Sequence, residues 1–301
     1  MELNTAKFIW MDGKFVDWQD AKVHVLAHAL HYGSAVFEGI HSYKTEKGPA
    51  IFRLDDHIDR LFFSANSLSM QPRFSKEEIK NAVRQLIKKN NLEDAYIRPL
   101  IYYGYGNIGV FPKDIPTNVF IVAIPWGNYY SKNLEIMISK FRRHSEKSAV
   151  FGAKISGNYA NSILAMHEAR KKGYDEALML DENGFVSEGP AENLFLVKDG
   201  KLITPNSKGA LHGVTRNTIL EIGKDLKIKT LEKNVNLKEV KNADELFFCG
   251  TATEIAPIIS VDDKKIGDGK IGSITSRLRD KYYDIVRGKD EKYGKWLAYV
   301  D

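Results

Sequence analysis

Lys154 stands in "VFGAKISGNYANS", among Gly152, Ala153, Ile155, Ser156 and Gly157. Most lysines are solvated surface residues, but small neighbours leave room beside this one for something other than protein. An amine in an apolar setting has its charged form disfavoured. It then becomes nucleophilic near neutral pH and can form a Schiff base with an aldehyde. Tyr159 follows at the start of a helix-like segment, able to reach a ligand shared with the lysine. Glu188, in "FVSEGPAENLF", ends a strand-like run ahead of Gly189 and Pro190. A carboxylate at such a corner can keep a pyridine nitrogen protonated, which makes the ring an electron sink. Gly213, Val214 and Thr215 in "HGVTRNT" open a helix, and free N–H groups plus the helix dipole form an anion site there. "CGTATE" adds a second glycine-hydroxyl turn at Thr251. A reactive lysine, a pyridine-directed carboxylate and phosphate-binding turns together describe pyridoxal 5'-phosphate.

The elements that must position these residues can be read from periodicity. "FIWMDGKFVDW" is two strand-like runs around Asp12-Gly13, a hairpin signal. Asp55 can cap a helix through "DHIDRLFFSANSLSM", with Ile58, Leu61, Phe62 and Ala65 on one face. "SKEEIKNAVRQLIKKN" opens with a capping box, Ser75 and Glu78. "AYIRPLIYYG" and "NVFIVAIPW" are so continuously apolar that burial on both faces is expected. Near "WGNYYSKN" the pattern changes, which places a linker at 126–133 between domains 1–125 and 134–301. Beyond it, "NYANSILAMHEARKKG" reads as a helix. Short strands then turn at Asn183-Gly184 and Asp199-Gly200, a meander and not a series of parallel crossovers. "VTRNTILEIGKDL" is a helix with Thr215 as cap, and "ITSRLRDKYYDIVRG" is a last helix. The sum is an α+β protein of two domains with mixed or antiparallel sheets.

Bulk properties set limits. The chain has 301 residues, 43% of them hydrophobic and 28% charged, with a net charge of +5 spread along its length. A nucleic-acid surface would show a concentrated basic stripe. Cys249 is the single cysteine, which excludes an intramolecular disulfide and points to a reducing compartment. With no apolar signal region and no run of membrane-spanning length, a cytoplasmic protein without nucleic-acid or membrane partners is expected. Three further signals are discounted. "GYGNIG" at 104–109 matches a dinucleotide fingerprint, but "VFPKDIPTN" follows where a helix is required. It reads as a glycine loop that can fold over a pocket. His24, His28 and His31 would share a helix face, yet no cysteine completes a zinc set, so a packed hydrogen-bonded cluster is expected and no metal. Cys249 ends an apolar strand and reads as a buried structural thiol.

Taken together, "HALHYGSAVFEGI", "YIRPLIYYG", "AKISGNY", "SEGPAENLF", "GVTR" and "GTATEIAPI" span nearly the whole chain in a fixed order. In these motifs the sequence resembles the branched-chain amino-acid aminotransferases, fold-type IV pyridoxal-phosphate enzymes. The resemblance implies a two-domain architecture with the cofactor at the domain interface. It implies ping-pong transamination of leucine, isoleucine and valine with 2-oxoglutarate. Lys154 then matches the lysine that holds the cofactor and moves the α-proton, Glu188 the partner of the pyridine nitrogen, and Tyr159 the ring 3-oxygen contact. Arg60, Val214, Thr215 and Thr251 match phosphate contacts, and the N–H groups of Thr251 and Ala252 match the turn that takes the substrate α-carboxylate. Phe37, Val110, Trp126 and Tyr129 match the apolar pocket wall. Tyr32, Tyr96 and Arg98 match its polar side, where Arg98 would bind the distal carboxylate of glutamate. The bland alternative for Arg98 is a buried pair with an acid.

The resemblance also implies a homodimer as the minimal active unit, with part of the pocket supplied by the neighbouring subunit. Two positions depart from the family pattern. His41 stands where arginine is frequent, and Ala191 where glycine is common, so the turn beside Glu188 must accept a Cβ. A D-amino-acid or (R)-amine transaminase, or an aminodeoxychorismate-lyase-like enzyme, would share Lys154 and Glu188 and differ in the carboxylate contacts. A basic binding protein that has lost catalysis is disfavoured by the intact lysine, tyrosine and glutamate.

Overall fold

The computed structural model describes residues 5–127, 133–150 and 152–300. It divides into two units. One holds residues up to Gly127, Ala153–Gly157 and the chain from Asp284 on; the other holds the described residues of Asn128–Gly152 and Asn158–Tyr283. The sequence places a single division at 126–133. In the structure the lysine's own segment, Ala153–Gly157, belongs to the first unit.

The first unit is built on an eight-stranded sheet. Its order is Leu297–Tyr299, Gly48–Phe52, Ile40–Thr45, Ala95–Tyr103, Thr117–Pro125, Phe8–Met11 and Lys14–Asp17, and Ala35–Phe37 also pairs with Ala95–Tyr103. The Asp12-Gly13 hairpin forms as the sequence predicts, with φ of 46° and 90°, the left-handed pair that suits a two-residue turn. Helices Leu54–Ser67 and Lys76–Lys89 bury Ile58, Leu61, Ala65, Ile79, Val83, Leu86 and Ile87 in one core with Val36, Ile97, Ile101, Val119 and Ile121. Ser75 and Glu78 form the expected capping box. Asp55 is not the cap of the first helix: Arg53 holds that place at φ 51°, its guanidinium paired with Asp56 and 4.6 Å from the Trp296 ring. Nor are the two long strands buried on both faces. Along Ala95–Tyr103, Ala95, Ile97 and Pro99 are buried while Arg98 is exposed, because an antiparallel sheet can cover one face and leave the other open.

Pro99 breaks the ladder inside this sheet. Phe37 pairs with Leu100 and Ile40 with Ile97, and between them the Glu38 N–H donates to the Pro99 carbonyl at 3.0 Å. Proline has no N–H to return. The strand therefore divides into Ala35–Phe37 and Ile40–Thr45, with Glu38 and Gly39 at the break.

The second unit carries a nine-stranded sheet ordered Val186–Glu188, Glu176–Leu180, Leu134–Arg142, Glu254–Val261, Glu245–Gly250, Asn193–Lys198, Lys201–Pro205 and Thr230–Lys233, with Lys264–Lys265 beside Glu254–Val261. Asp199 and Gly200 take the left-handed turn conformation between paired strands. Helix Tyr159–Lys171 packs Ala165 and Ala169 on Met137, Ala177 and Met179. Helix Val214–Asp225 begins at Gly213, so Thr215 lies inside the first turn and not at the cap. Among the described residues no helix is long and apolar enough to cross a membrane.

Within the first unit the segment Ala153–Gly157 is held by its backbone. Gly157 donates to the Gly33 carbonyl at 3.1 Å, and a Cβ on Gly33 would come within 2.6 Å of the Gly157 Cα. Gly33 also ends helix His28–Tyr32 at φ 62°, a conformation that glycine takes without strain. Gly33→Ala combines both penalties. It should lower stability by about 2 kcal/mol, measured as a shift in urea midpoint at constant slope. An unchanged midpoint would contradict this packing.

Candidate active site

Three contacts fix Lys154 in the first unit. Its N–H donates to Ser64 Oγ at 2.9 Å, its carbonyl accepts from the Phe37 N–H at 3.2 Å, and its Nζ lies 4.7 Å from the Phe37 ring centroid. Ser64 Oγ in turn donates to the Arg60 carbonyl at 2.8 Å, one turn earlier on the same helix. The Arg98 guanidinium lies 5.0 Å from the Phe37 ring and 5.1 Å from that of Tyr96, and donates to the Tyr96 hydroxyl at 2.7 Å. Trp126 stands 4.8 Å from Tyr96, ring to ring. Lys154, Phe37, Arg98, Tyr96 and Trp126 thus form one chain of contacts. Arg98 is not the buried acid-paired arginine that its strand suggested. It is exposed, and it donates to a phenol.

The loop containing 104–109 lies between the antiparallel strands Ala95–Tyr103 and Thr117–Pro125, not between a strand and a helix. His28, buried, touches Ser34 Oγ at 2.6 Å and the Gly109 carbonyl at 3.0 Å through its two ring nitrogens, and the Tyr32 hydroxyl donates to the Ile108 carbonyl at 2.6 Å. His24 and His31 bond to Leu26 and Val25 respectively. The three histidines do not share one helix, because only His28–Tyr32 is helical. Val110 is 76% exposed, so its own unit does not bury it as a pocket wall. Tyr129 lies outside the described residues.

The second unit assembles another group. Glu188 is buried at the end of its strand. Its Oε1 pairs with Arg143 at 2.8 Å, and its Oε2 accepts from Asn193 Nδ2 and from the Leu211 N–H, both at 3.0 Å. Asn193 also donates to the Leu211 carbonyl, and its Oδ1 lies where a Cβ on Gly213 would sit, 2.0 Å away. Only glycine fits there, and no described side chain caps the helix that follows. The N–H groups of buried Val214 and Thr215 therefore stand at an uncapped helix start. Tyr159 opens helix Tyr159–Lys171 behind the turn Ser156–Asn158. Thr251 and Ala252 occupy the turn between strands Glu245–Gly250 and Glu254–Val261. Ala191 is exposed and outside the left-handed region, so its Cβ brings no strain. His41 is buried and stacked on Tyr43 at 4.0 Å.

A family model described as amino-transferase class IV matches residues 35–261. The chain is 45% identical to the branched-chain-amino-acid aminotransferase of Pseudomonas aeruginosa over 97% of both chains. The chain belongs to the class IV aminotransferases. It is 42% identical to the branched-chain-amino-acid aminotransferase of Escherichia coli over the full length of both. Its fold matches the crystal structure of the branched-chain amino acid aminotransferase from Thermobaculum terrenum in its PLP-form at a TM-score of 0.93, with 36% identity over the full length of both. The structure of the Thermoproteus uzoniensis branched-chain aminotransferase with norvaline matches at 0.95, with 40% identity over 98% of this chain and all of that one.

Sequence reasoning passed over several residues of this class IV aminotransferase. Arg143 and Asn193 hold the Glu188 carboxylate; Arg143 follows a strand end in "FRRHS" with nothing in its spacing to mark it. Glu38 and Glu192 had a signal, since an acid inside an apolar run demands a buried partner or a proton. Cys249 is buried, and burial pushes its thiol far above the ordinary value, which fits the inert role expected of it.

Glu192 is fully buried, and desolvation, with the charges of Glu176 and Glu188, raises it to about 8 against the opposing pull of the Ala191 N–H and Thr253. The folded protein then keeps a proton that the unfolded chain releases above the ordinary carboxyl value of 4.5. Stability from this group falls as pH rises from about 4.5 to about 8, by up to roughly 1.4 kcal/mol per pH unit. Glu192→Gln keeps the shape without the titration. Urea midpoints between about pH 5 and pH 9 should fall less steeply for the variant than for the parent; parallel curves would show that Glu192 is already ionised.

Proposed function

We propose that the chain is a pyridoxal-phosphate aminotransferase that exchanges the amino group of branched-chain L-amino acids with 2-oxoglutarate, giving branched-chain 2-oxo acids and L-glutamate. The observation that carries this reading is the Phe37 ring, with the Lys154 amine and the Arg98 guanidinium both about 5 Å away. A nucleophilic amine, an apolar surface and a carboxylate-binding group are what the two half-reactions require together. One form of the enzyme meets an aliphatic side chain, which packs on Phe37 and Trp126. The other meets 2-oxoglutarate, whose distal carboxylate goes to Arg98, with Tyr96 and Tyr32 as hydroxyl partners. An exposed guanidinium that donates to a phenol can accept or release a carboxylate without leaving a charge buried.

The residues present fit the cofactor. When bound, pyridoxal 5'-phosphate supplies a carbonyl for the amine and an electron-accepting ring. Arg60, the Val214 and Thr215 N–H groups and Thr251 would hold the phosphate, and the uncapped start of helix Val214–Asp225 is suited to an anion. The Tyr159 hydroxyl would bond the ring 3-oxygen. Glu188, oriented by Arg143, Asn193 and Leu211, would keep a proton on the ring nitrogen. Lys154 Nζ would take the proton from the substrate α-carbon and give it up to a different carbon later in the same half-reaction. The Thr251 and Ala252 N–H groups orient the α-carboxylate.

A second copy of the chain is part of this reading. Val25, Leu30, Ile108, Val110 and Phe111 are each more than 60% exposed. Their two loops are tied together by the Ala27–Tyr105 bridge and by the Tyr32 and His28 contacts to Ile108 and Gly109. An apolar surface of this kind is one that a neighbouring subunit covers, and it brings Val110 and Tyr32 to the subunit contact.

Cofactor-loaded protein should turn over L-leucine, L-isoleucine and L-valine with 2-oxoglutarate, and leave D-alanine and (R)-1-phenylethylamine at background. Lys154→Ala should reduce all turnover to background. Fast D-alanine turnover without L-leucine turnover, or an active Lys154→Ala enzyme, would overturn the reading.

A further inference from the structure

The sheet break at Pro99 delivers an acid to the helix that carries Arg60. Glu38 is completely buried. Its Oε1 accepts from Arg60 Nε at 2.6 Å and its Oε2 from Arg60 Nη2 at 2.8 Å, while His57 Nδ1 lies 2.8 Å from the same Oε2. This two-point grip commits the Nε–Nη2 edge of the guanidinium and fixes the direction of its third nitrogen. A long arginine side chain otherwise loses rotamer freedom when a ligand immobilises it.

We propose that Glu38 is a positioning residue for the cofactor phosphate: it holds Arg60 in its phosphate-binding direction before the cofactor arrives. This rests on the reading of Arg60 as a phosphate contact. Burial alone would raise the Glu38 carboxyl, but the Arg60 charge and the hydrogen bonds from Arg60 and His57 outweigh it and hold the carboxyl down at about 2. Burial likewise pushes His57 below its ordinary value, so a neutral imidazole donates to a permanent carboxylate. The carboxylate's hold on Arg60 therefore persists well below neutral pH. The neighbouring residue, Phe37, carries the Lys154 contacts. One strand break therefore orients the arginine through position 38 and the lysine through position 37.

The test compares pyridoxal 5'-phosphate with pyridoxal, which lacks the phosphate. Dissociation constants for both are measured on apoenzyme by absorbance and fluorescence titration, with thermal melts to establish that each variant is folded. Glu38→Gln should weaken pyridoxal 5'-phosphate by roughly tenfold or more and leave pyridoxal within about twofold. Arg60→Gln should show the same selectivity, and the double variant should bind no more weakly than Arg60→Gln alone. Should Glu38→Gln not fold, Glu38→Asp replaces it: the charge stays, the two-point reach is lost, and a smaller loss confined to the phosphorylated form is expected. If Arg60→Gln leaves pyridoxal 5'-phosphate affinity unchanged, the phosphate reading of Arg60 fails and the proposal falls with it. If Arg60→Gln is selective but neither Glu38 variant is, or if they weaken both compounds equally, Glu38 does not position Arg60.

Discussion

Lys154, the proposed cofactor lysine, depends on the backbone of residues 153–157 being part of the first unit's structure. Lys154 has its N–H on Ser64, its carbonyl on the Phe37 N–H, and Gly157 close against Gly33. A lysine held only by its side chain would sweep a wide volume, since its stem is a flexible four-carbon chain. With both of its backbone polar groups engaged, the root of the side chain is fixed and only the amine moves. Ser64 extends the constraint, because its hydroxyl also bonds the Arg60 carbonyl. The backbones of Lys154 and of Arg60, one helical turn from that serine, share one anchor.

Electrostatics divides three buried acids by their surroundings. Glu38 faces Arg60 and stays ionised. Glu188 faces Arg143 and accepts two further N–H donors. Burial, helped by the charges of Glu176 and Glu188, pushes Glu192 up to about 8. The same residue type gives an anchor, an ion-paired acceptor and an acid that burial pushes up, decided by whether cations and N–H donors offset the cost of burial. Of these three acids, arginines hold Glu38 and Glu188.

Much of this was legible in the sequence, for identifiable reasons. The Asp12-Gly13 and Asp199-Gly200 turns, the Ser75 capping box and the amphipathic helices are local, and local chemistry is written in adjacent residues. The strand pair around Arg98 was misjudged because an apolar run does not say whether one face or two will be covered. Thr215 and Asp55 look like caps, but Gly213 and Arg53 hold those places for tertiary reasons: Asn193 crowds Gly213, and Trp296 receives Arg53. Arg143 and Asn193 were missed because they meet Glu188 across a sheet and a turn, and no spacing rule spans a sheet. The enzyme class was readable from the order of motifs, and its bare neighbours mark Lys154 as the candidate amine. The contacts that fix its backbone were not, since Ser64, Phe37 and Gly33 are distant in sequence.

The most direct test of the claim that this anchored lysine holds the cofactor is reductive trapping. Cofactor-loaded protein is treated with borohydride, digested, and the peptides are sequenced by mass spectrometry. The account predicts a phosphopyridoxyl adduct on Lys154 and on no other lysine. An adduct on a different lysine, or a loaded protein that yields none, would contradict it.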